Sequence, residues 1–246
     1  MKIIEAKDYQ ELSQIAASYI MEQVKQKPES VLGLATGGTM LGTYQALIED
    51  YRKNGGDYQH VQTFNLDEYV GLAKSDENSY HHYMWEQLFS HINVAEDRAH
   101  LPNGKADDME KECLEYERLI KESGGIDLQL LGIGQNGHIG FNEPGSAFDS
   151  ITRMVPLKES TRQANARYFP TLEDVPTHAI TMGISTIMKS KKIVLLASGS
   201  QKADILYDLY HSDITADIPA TILRNHPDTT IIADWDALAK IRQAVG

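Results

Sequence analysis

Residues 132–145 read GIGQNGHIGFNEPG, which sets His138 and Glu143 on one glycine-loosened loop with Asn136 between two of its glycines. An imidazole with an ordinary pKa of about 6.5 gains or loses a proton near neutrality. A carboxylate folded back on it can orient the ring and stabilise its charged form. No serine or cysteine occupies the loop, which favours proton transfer over acyl transfer. A hydrogen-bonded structural histidine is the plainer alternative. Asp67 ends a second apolar run, residues 61–66, and is followed by Glu68. A carboxylate at a strand mouth suits a general base acting on a C–H beside a carbonyl or imine. Turn and helix-start roles are the commoner fate of acids in such a place.

Two further segments suit an anion. Thr36-Gly37-Gly38-Thr39 follows an apolar run and precedes a helical pattern. It lacks the lysine and spacing of a nucleotide P-loop. Its glycines still admit close backbone approach, with N–H groups and hydroxyls facing outward at a helix start. An ordinary turn with Thr39 as N-cap is the competing reading. Lys202, with Ser200 as N-cap, falls in the first turn of another helix, where the macrodipole disfavours a cation by ~0.3–1 kcal/mol. A bound anion would account for it; a lysine leaning into solvent is the alternative. Arg162 and Arg167 are spaced so that one helix cannot present both on one face. One is expected to reach a phosphate and the other to serve a structural pair. The literal G-x-G-x-x-G at 132–137 continues as loop chemistry instead of opening a helix, so it is not a dinucleotide fingerprint.

These groups need strands that end together. Apolar runs at 31–35, 61–66, 126–133, 192–197 and 229–233 read as buried strands. Helical patterns lie near residues 12–24, 41–48, 80–88, 107–122 and 203–209. Strands alternating with helices imply an α/β fold: an open, largely parallel sheet with helices on both faces. Thr36–Thr39, Asp67, the 134–145 loop and the 198–202 turn each follow a strand candidate, so all should emerge at the carboxyl edge and converge on one pocket. Residues 146–177 show weaker periodicity and suit a mobile lid. No linker divides residues 1–246, so one domain is expected.

Composition narrows the function. With 23 basic against 35 acidic residues the net charge is −12, which argues against a broad nucleic-acid or anionic-membrane surface. No apolar run approaches the ~18 residues of a membrane span, and the start lacks a signal-peptide core. The single cysteine, Cys113, offers neither an internal disulfide nor a metal cluster, and its helical neighbours Met109, Tyr116 and Ile120 point to packing. No H-E-x-x-H spacing suggests a metal, and His81, His82, His91 and His100 read as surface or packing residues. A cytoplasmic protein without metal is expected.

Taken together, LATGGT at 34–39, FNLDEYVGL at 64–72, GIGQNGHIGFNEP at 132–144, residues 161–169 and GSQKA at 199–203 resemble the glucosamine-6-phosphate deaminase family. The resemblance runs through nearly the whole chain. It implies a Rossmann-like fold and cofactor-free conversion of D-glucosamine 6-phosphate and water to D-fructose 6-phosphate and ammonia. It also implies roles: His138 with Glu143 and Asn136 for ring opening, and Asp67 for proton transfer between C2 and C1. Thr36, Gly37, Gly38, Thr39, Lys202 and Arg167 would hold the phosphate. Some members carry aspartate where Asn136 stands, which implies a less basic His138 here. Allosteric, hexameric members use a lysine where Val155 stands and have a longer C-terminal tail than a chain closing at Gly246. That weighs against an allosteric hexamer and leaves the oligomeric state open. A 6-phosphogluconolactonase-type hydrolase would not need Asp67 as a base. A sugar-phosphate-sensing regulator would need a basic DNA-binding region for which this acidic chain has neither room nor charge.

Overall fold

Asp8 accepts a hydrogen bond from the Glu11 amide, and Asp108 does the same for Lys111, so side-chain caps start two of the longest helices. The elements run β1 (Lys2–Ala6), α1 (Tyr9–Gln26), β2 (Val31–Leu34), α2 (Leu41–Asn54), β3 (Gln62–Asn65), β4 (Asp67–Tyr69), α3 (Tyr80–Gln87), β5 (Ala99–His100) and α4 (Met109–Glu122). They continue with β6 (Leu128–Gly132), β7 (Arg153–Pro156), α5 (Glu159–Asn165), β8 (His178–Thr181), α6 (Ile184–Met188), β9 (Lys192–Ala197), α7 (Ala203–His211), β10 (Thr229–Asp234) and α8 (Ala239–Val245). This computed structural model describes residues 1–245. Gly246, on which the expectation of a short C-terminus falls, lies outside the described residues.

Seven strands form one sheet in the order β1-β10-β9-β6-β2-β3-β5, every neighbouring pair parallel. The inner strands β2, β9 and β10 are buried almost throughout, as strands covered on both faces must be. Helices flank the sheet, and Leu12, Ile20, Tyr44, Leu47 and Leu206 join its strands in the main core. From β2 the chain progresses outward through β3 to β5, then returns to place β6 on the other side of β2. That reversal makes the β6/β2 boundary a topological switch point, where the loops part and leave a crevice.

The open parallel sheet expected from the alternating pattern is therefore present, with its main strands within two residues of the expected bounds. The sequence reading missed β1 and the short edge strand β5. It also missed a second, antiparallel sheet, β4-β8-β7, which carries its own apolar cluster of Tyr69, Phe141, Leu157 and Ala179. Consequently Asp67 does not sit in a free turn: it opens β4, opposite Thr181 of β8. Residues 146–177 hold β7 and α5, so weak periodicity there reflects short elements. Two capping expectations are corrected. Thr39 lies inside a 3-10 turn, Gly38–Met40, with no side-chain cap. Ser200 opens the 3-10 turn Ser200–Lys202, also uncapped, while Asp234 holds the preceding Ser198 hydroxyl and Gly199 amide. Glycine at 37 and 199, with φ of 103° and 88°, makes these turns without needing a cap.

Candidate active site

The chain leaves β9, β6, β2 and β3, four adjacent strands, at the same edge, and the segments just beyond them, including the start of β4, carry every residue expected at the site except Arg167. β6 ends at Gly132 and the chain stays irregular through Gly145, so no helix opens after the third glycine. Gly137 (φ 82°) and Gly140 (φ 58°) fold the loop back on itself. The His138 ring lies against Gly134, where any Cβ would meet ring atoms at 2.1 to 2.5 Å.

This folding builds one hydrogen-bonded chain. Thr161 Oγ1 donates to Glu143 Oε1 at 2.5 Å, and Asn136 Nδ2 donates to Glu143 Oε2 at 2.8 Å. Asn136 Oδ1 then accepts from His138 Nδ1 at 2.7 Å and from the His138 amide at 3.2 Å. Because the amide of Asn136 is oriented by Glu143, the proton of a neutral His138 is assigned to Nδ1, which leaves Nε2 as the base. Burial is the largest influence on this imidazole and pulls its pKa below the ordinary value. Glu143 opposes that shift, whereas Lys202 and Lys158 add to it. Nδ1 lies 3.6 Å from Glu143 Oε2, so the carboxylate reaches the ring chiefly through Asn136.

Asp67 and Glu68 diverge although adjacent. Glu68 accepts from the Tyr69, Tyr80 and His81 amides at 2.8, 3.0 and 2.9 Å, so it is the carboxylate at the N-terminus of α3. Burial pushes its pKa up to about 7 against the pull of those three donors. Asp67 has no such donors. It is 7% exposed, and its carboxylate has no hydrogen-bond partner among the described residues. Burial, with a smaller repulsion from Glu68, pushes its pKa up to about 8. Its Oδ2 abuts the His138 loop, standing 3.6 Å from where a Cβ on Gly140 would lie. The sequence reading offered Asp67 as a base, with turn and helix-start roles for both acids as the alternative; the structure gives the helix-start role to Glu68 alone.

Across the switch point, Thr36, Gly37 and Gly38 line a cavity of about 350 Å³ together with Tyr69, Tyr80, Tyr83, Asn165, Arg167 and Phe169. A Cβ on Gly37 or Gly38 would meet nothing within 4 Å, so their backbone faces open space. The first amides of a helix have no intrahelical acceptor and point outward, which suits an anion. Tyr83 Oη donates to Gly37 O at 2.8 Å, and Tyr9 Oη donates to Gly38 O at 3.0 Å while accepting from the Gly42 amide. Those tyrosines were not expected from the sequence; nothing in their local pattern distinguishes them from packing aromatics. Arg162 instead donates to the carbonyls of Leu172 and Val175, each at 3.0 Å, which fulfils the structural half of the arginine expectation. Lys202 does not line the cavity. Its Nζ donates to Ile133 O at 2.7 Å at the mouth of β6, and burial lowers its pKa. Arg153 of β7 donates to Asn142 Oδ1, and neighbouring Val155 packs against the second apolar cluster. Among the described residues, no group of three or more His, Cys, Asp or Glu side chains is placed to hold a metal ion. No described helix is long and apolar enough to cross a membrane.

An open parallel sheet that gathers, at its carboxyl edge, a histidine hydrogen-bonded through an amide to a carboxylate and a glycine-rich turn with outward-facing amides defines the class: an α/β protein with its candidate site at the strand ends. The chain belongs to the glucosamine-6-phosphate isomerase/6-phosphogluconolactonase family, whose model matches residues 7–232. It is 59% identical over 241 residues to a glucosamine-6-phosphate deaminase of Geobacillus sp. (strain WCH70), covering 98% of this chain and 96% of the relative. A solved structure of a monomeric glucosamine-6-phosphate deaminase superposes with a TM-score of 0.96 at 51% identity, covering 98% of this chain and all of that one. The 6-phosphogluconolactonase of Thermotoga maritima shares the fold alone, at 19% identity and a TM-score of 0.74 over 95% of this chain and 99% of its own.

Proposed function

We propose that this chain is a cytoplasmic enzyme that converts D-glucosamine 6-phosphate and water to D-fructose 6-phosphate and ammonia, acting as one domain without a cofactor. The observation that carries this reading is the pairing of a buried Asp67 carboxylate, without a hydrogen-bond partner among the described residues, with the His138 loop that abuts it. Full-length relatives named for this activity, at 51 to 59% identity, support the choice of substrate.

The chemistry rests on the two halves of the site. Thr36, Gly37, Gly38 and Thr39 receive the phosphate through backbone N–H groups and hydroxyls, with Arg167 closing from the 146–177 segment and Lys202 adding positive charge from the neighbouring loop. Neutral His138 takes the proton of the C1 hydroxyl at Nε2 and returns it to the ring oxygen, breaking the C1–O5 bond. Glu143, through Asn136, stabilises the imidazolium formed between those two transfers. Asp67 then removes the proton from C2 as O1 of the aldehyde gains the proton that the ammonium group gives up, which yields an enolamine; delivery of the C2 proton to C1 then leaves a ketiminium at C2. Water adds to C2, the C–N bond breaks, and the amine leaves as ammonia.

Burial makes Asp67 a stronger base than an ordinary carboxylate, because its proton affinity is raised with its pKa. The cationic amine of the substrate, brought beside it, favours the ionised form needed for attack. A lactonase would require only water activation and would leave this costly carboxylate without a task. Incubation of the pure protein with glucosamine 6-phosphate, without metal or nucleotide, tests the reading. Fructose 6-phosphate and ammonium should appear in equal amounts; no product, alongside hydrolysis of 6-phosphogluconolactone, overturns it.

A further inference from the structure

The proton-transfer chain does not end within its own loop. Glu143 Oε1 accepts from Thr161, a residue of α5 far along the sequence from Asn136 and His138. Both carboxylate oxygens of Glu143 are thereby committed: Oε1 to Thr161 and Oε2 to Asn136. With one oxygen pinned from each side, the carboxylate cannot rotate without breaking a bond, and Asn136 keeps the amide orientation that presents Oδ1 to the imidazole. The same segment reaches the other end of the site. Asn165, at the end of α5, and Arg167, in the 3-10 turn after it, line the cavity with Thr36, Gly37 and Gly38. A third tie, from Lys158 Nζ to Pro144 O at 3.5 Å, is too long to fix the geometry alone.

We propose that Thr161 is a positioning residue, which aligns the Glu143–Asn136–His138 chain and, through the short segment it shares with Arg167, couples the phosphate end of the site to the proton end. The inference deepens the functional reading above and rests on it. Substrate phosphate held by Arg167 fixes α5, and α5 presents the Thr161 hydroxyl to Glu143. Binding energy from the non-reacting phosphate is thus used to arrange the reacting end. Thr161 itself does not line the cavity, so its loss should act on turnover and spare affinity.

Thr161→Val keeps the β-branched shape and removes the donor, while Thr161→Ser keeps the donor. Kinetics with glucosamine 6-phosphate should give the valine variant a kcat lower by about 10- to 100-fold, the range that loss of a hydrogen bond to a charged group corresponds to. Its KM should stay within about twofold, and the serine variant should recover most of the turnover. A valine variant with wild-type kcat, a change confined to KM, or a serine variant as impaired as valine would each overturn the proposal. Wild-type protein that does not turn over this substrate would overturn the functional reading and this inference with it.

Discussion

Asp67→Asn should make the protein inactive and, at neutral pH, more stable. The folded chain holds this carboxyl at a pKa of about 8, against an ordinary value of 3.8. Unfolding restores the ordinary value, so the unfolded state releases a proton that the folded state keeps. The raised folded pKa sets the sign: stability associated with Asp67 is full below about pH 4 and declines as pH rises toward 8. Each pH unit inside that window costs about 1.36 kcal/mol. Between pH 5 and pH 7 the penalty therefore grows by about 2–3 kcal/mol, and asparagine, which does not titrate, escapes it. In a chain of this size that is about 5–10 °C in Tm. Glu68, also raised, titrates in both proteins, so only its smaller repulsion with Asp67 enters the difference. Denaturant or thermal unfolding of both proteins without ligand, at pH 5 and pH 7, measures the gap directly. A gap that stays constant or narrows as pH rises refutes the claim that Asp67 is held as a costly buried acid for the sake of function.

Two other perturbations test the surroundings of the site. Asn136→Asp places a negative charge where an amide oxygen now sits 2.7 Å from His138 Nδ1. The imidazolium is then favoured, and the acidic limb of the kcat/KM profile should move up by about 1–2 pH units; an unmoved limb contradicts the reading of His138 as a base held weakly basic. Glu68→Gln leaves one oxygen where two now accept from three amides, that of Tyr69 in β4 and those of Tyr80 and His81 at the α3 start. Stability should fall by about 1–3 kcal/mol, measured by denaturant unfolding, and an unchanged midpoint would mean those amides find other partners.

Much of this was legible because strand ends are legible. The apolar runs near 31, 126 and 192 are strongly patterned, and the residues just beyond each run are chemically unusual. Glycines with a histidine, a threonine or a lysine do not serve a core, so Thr36–Thr39, His138 and Lys202 stood out. For Asp67 the choice between base and helix-start acid stayed open in the residues themselves, since it lies in whose amides face each carboxylate, and that depends on where α3 begins in space. The second sheet escaped notice because its strands are three or four residues long and pair antiparallel across distant parts of the chain. Thr161 escaped for a similar reason: a threonine in a weakly periodic segment carries no sign that its hydroxyl closes a relay begun at Glu143. Lys202 was placed at the correct strand end, yet its side-chain direction, toward Ile133 O, is a tertiary fact.

The central claim is that Asp67 carries one proton from C2 to C1 while the phosphate is held across the switch point. Turnover of glucosamine 6-phosphate deuterated at C2, monitored by NMR of the fructose 6-phosphate formed, tests it most directly. Wild-type protein should place part of the label at C1, with the rest lost to solvent through the carboxyl, and Asp67→Asn should bind the phosphosugar yet give neither transfer nor ammonium. Transfer of label to C1 by Asp67→Asn at the wild-type rate would contradict the account.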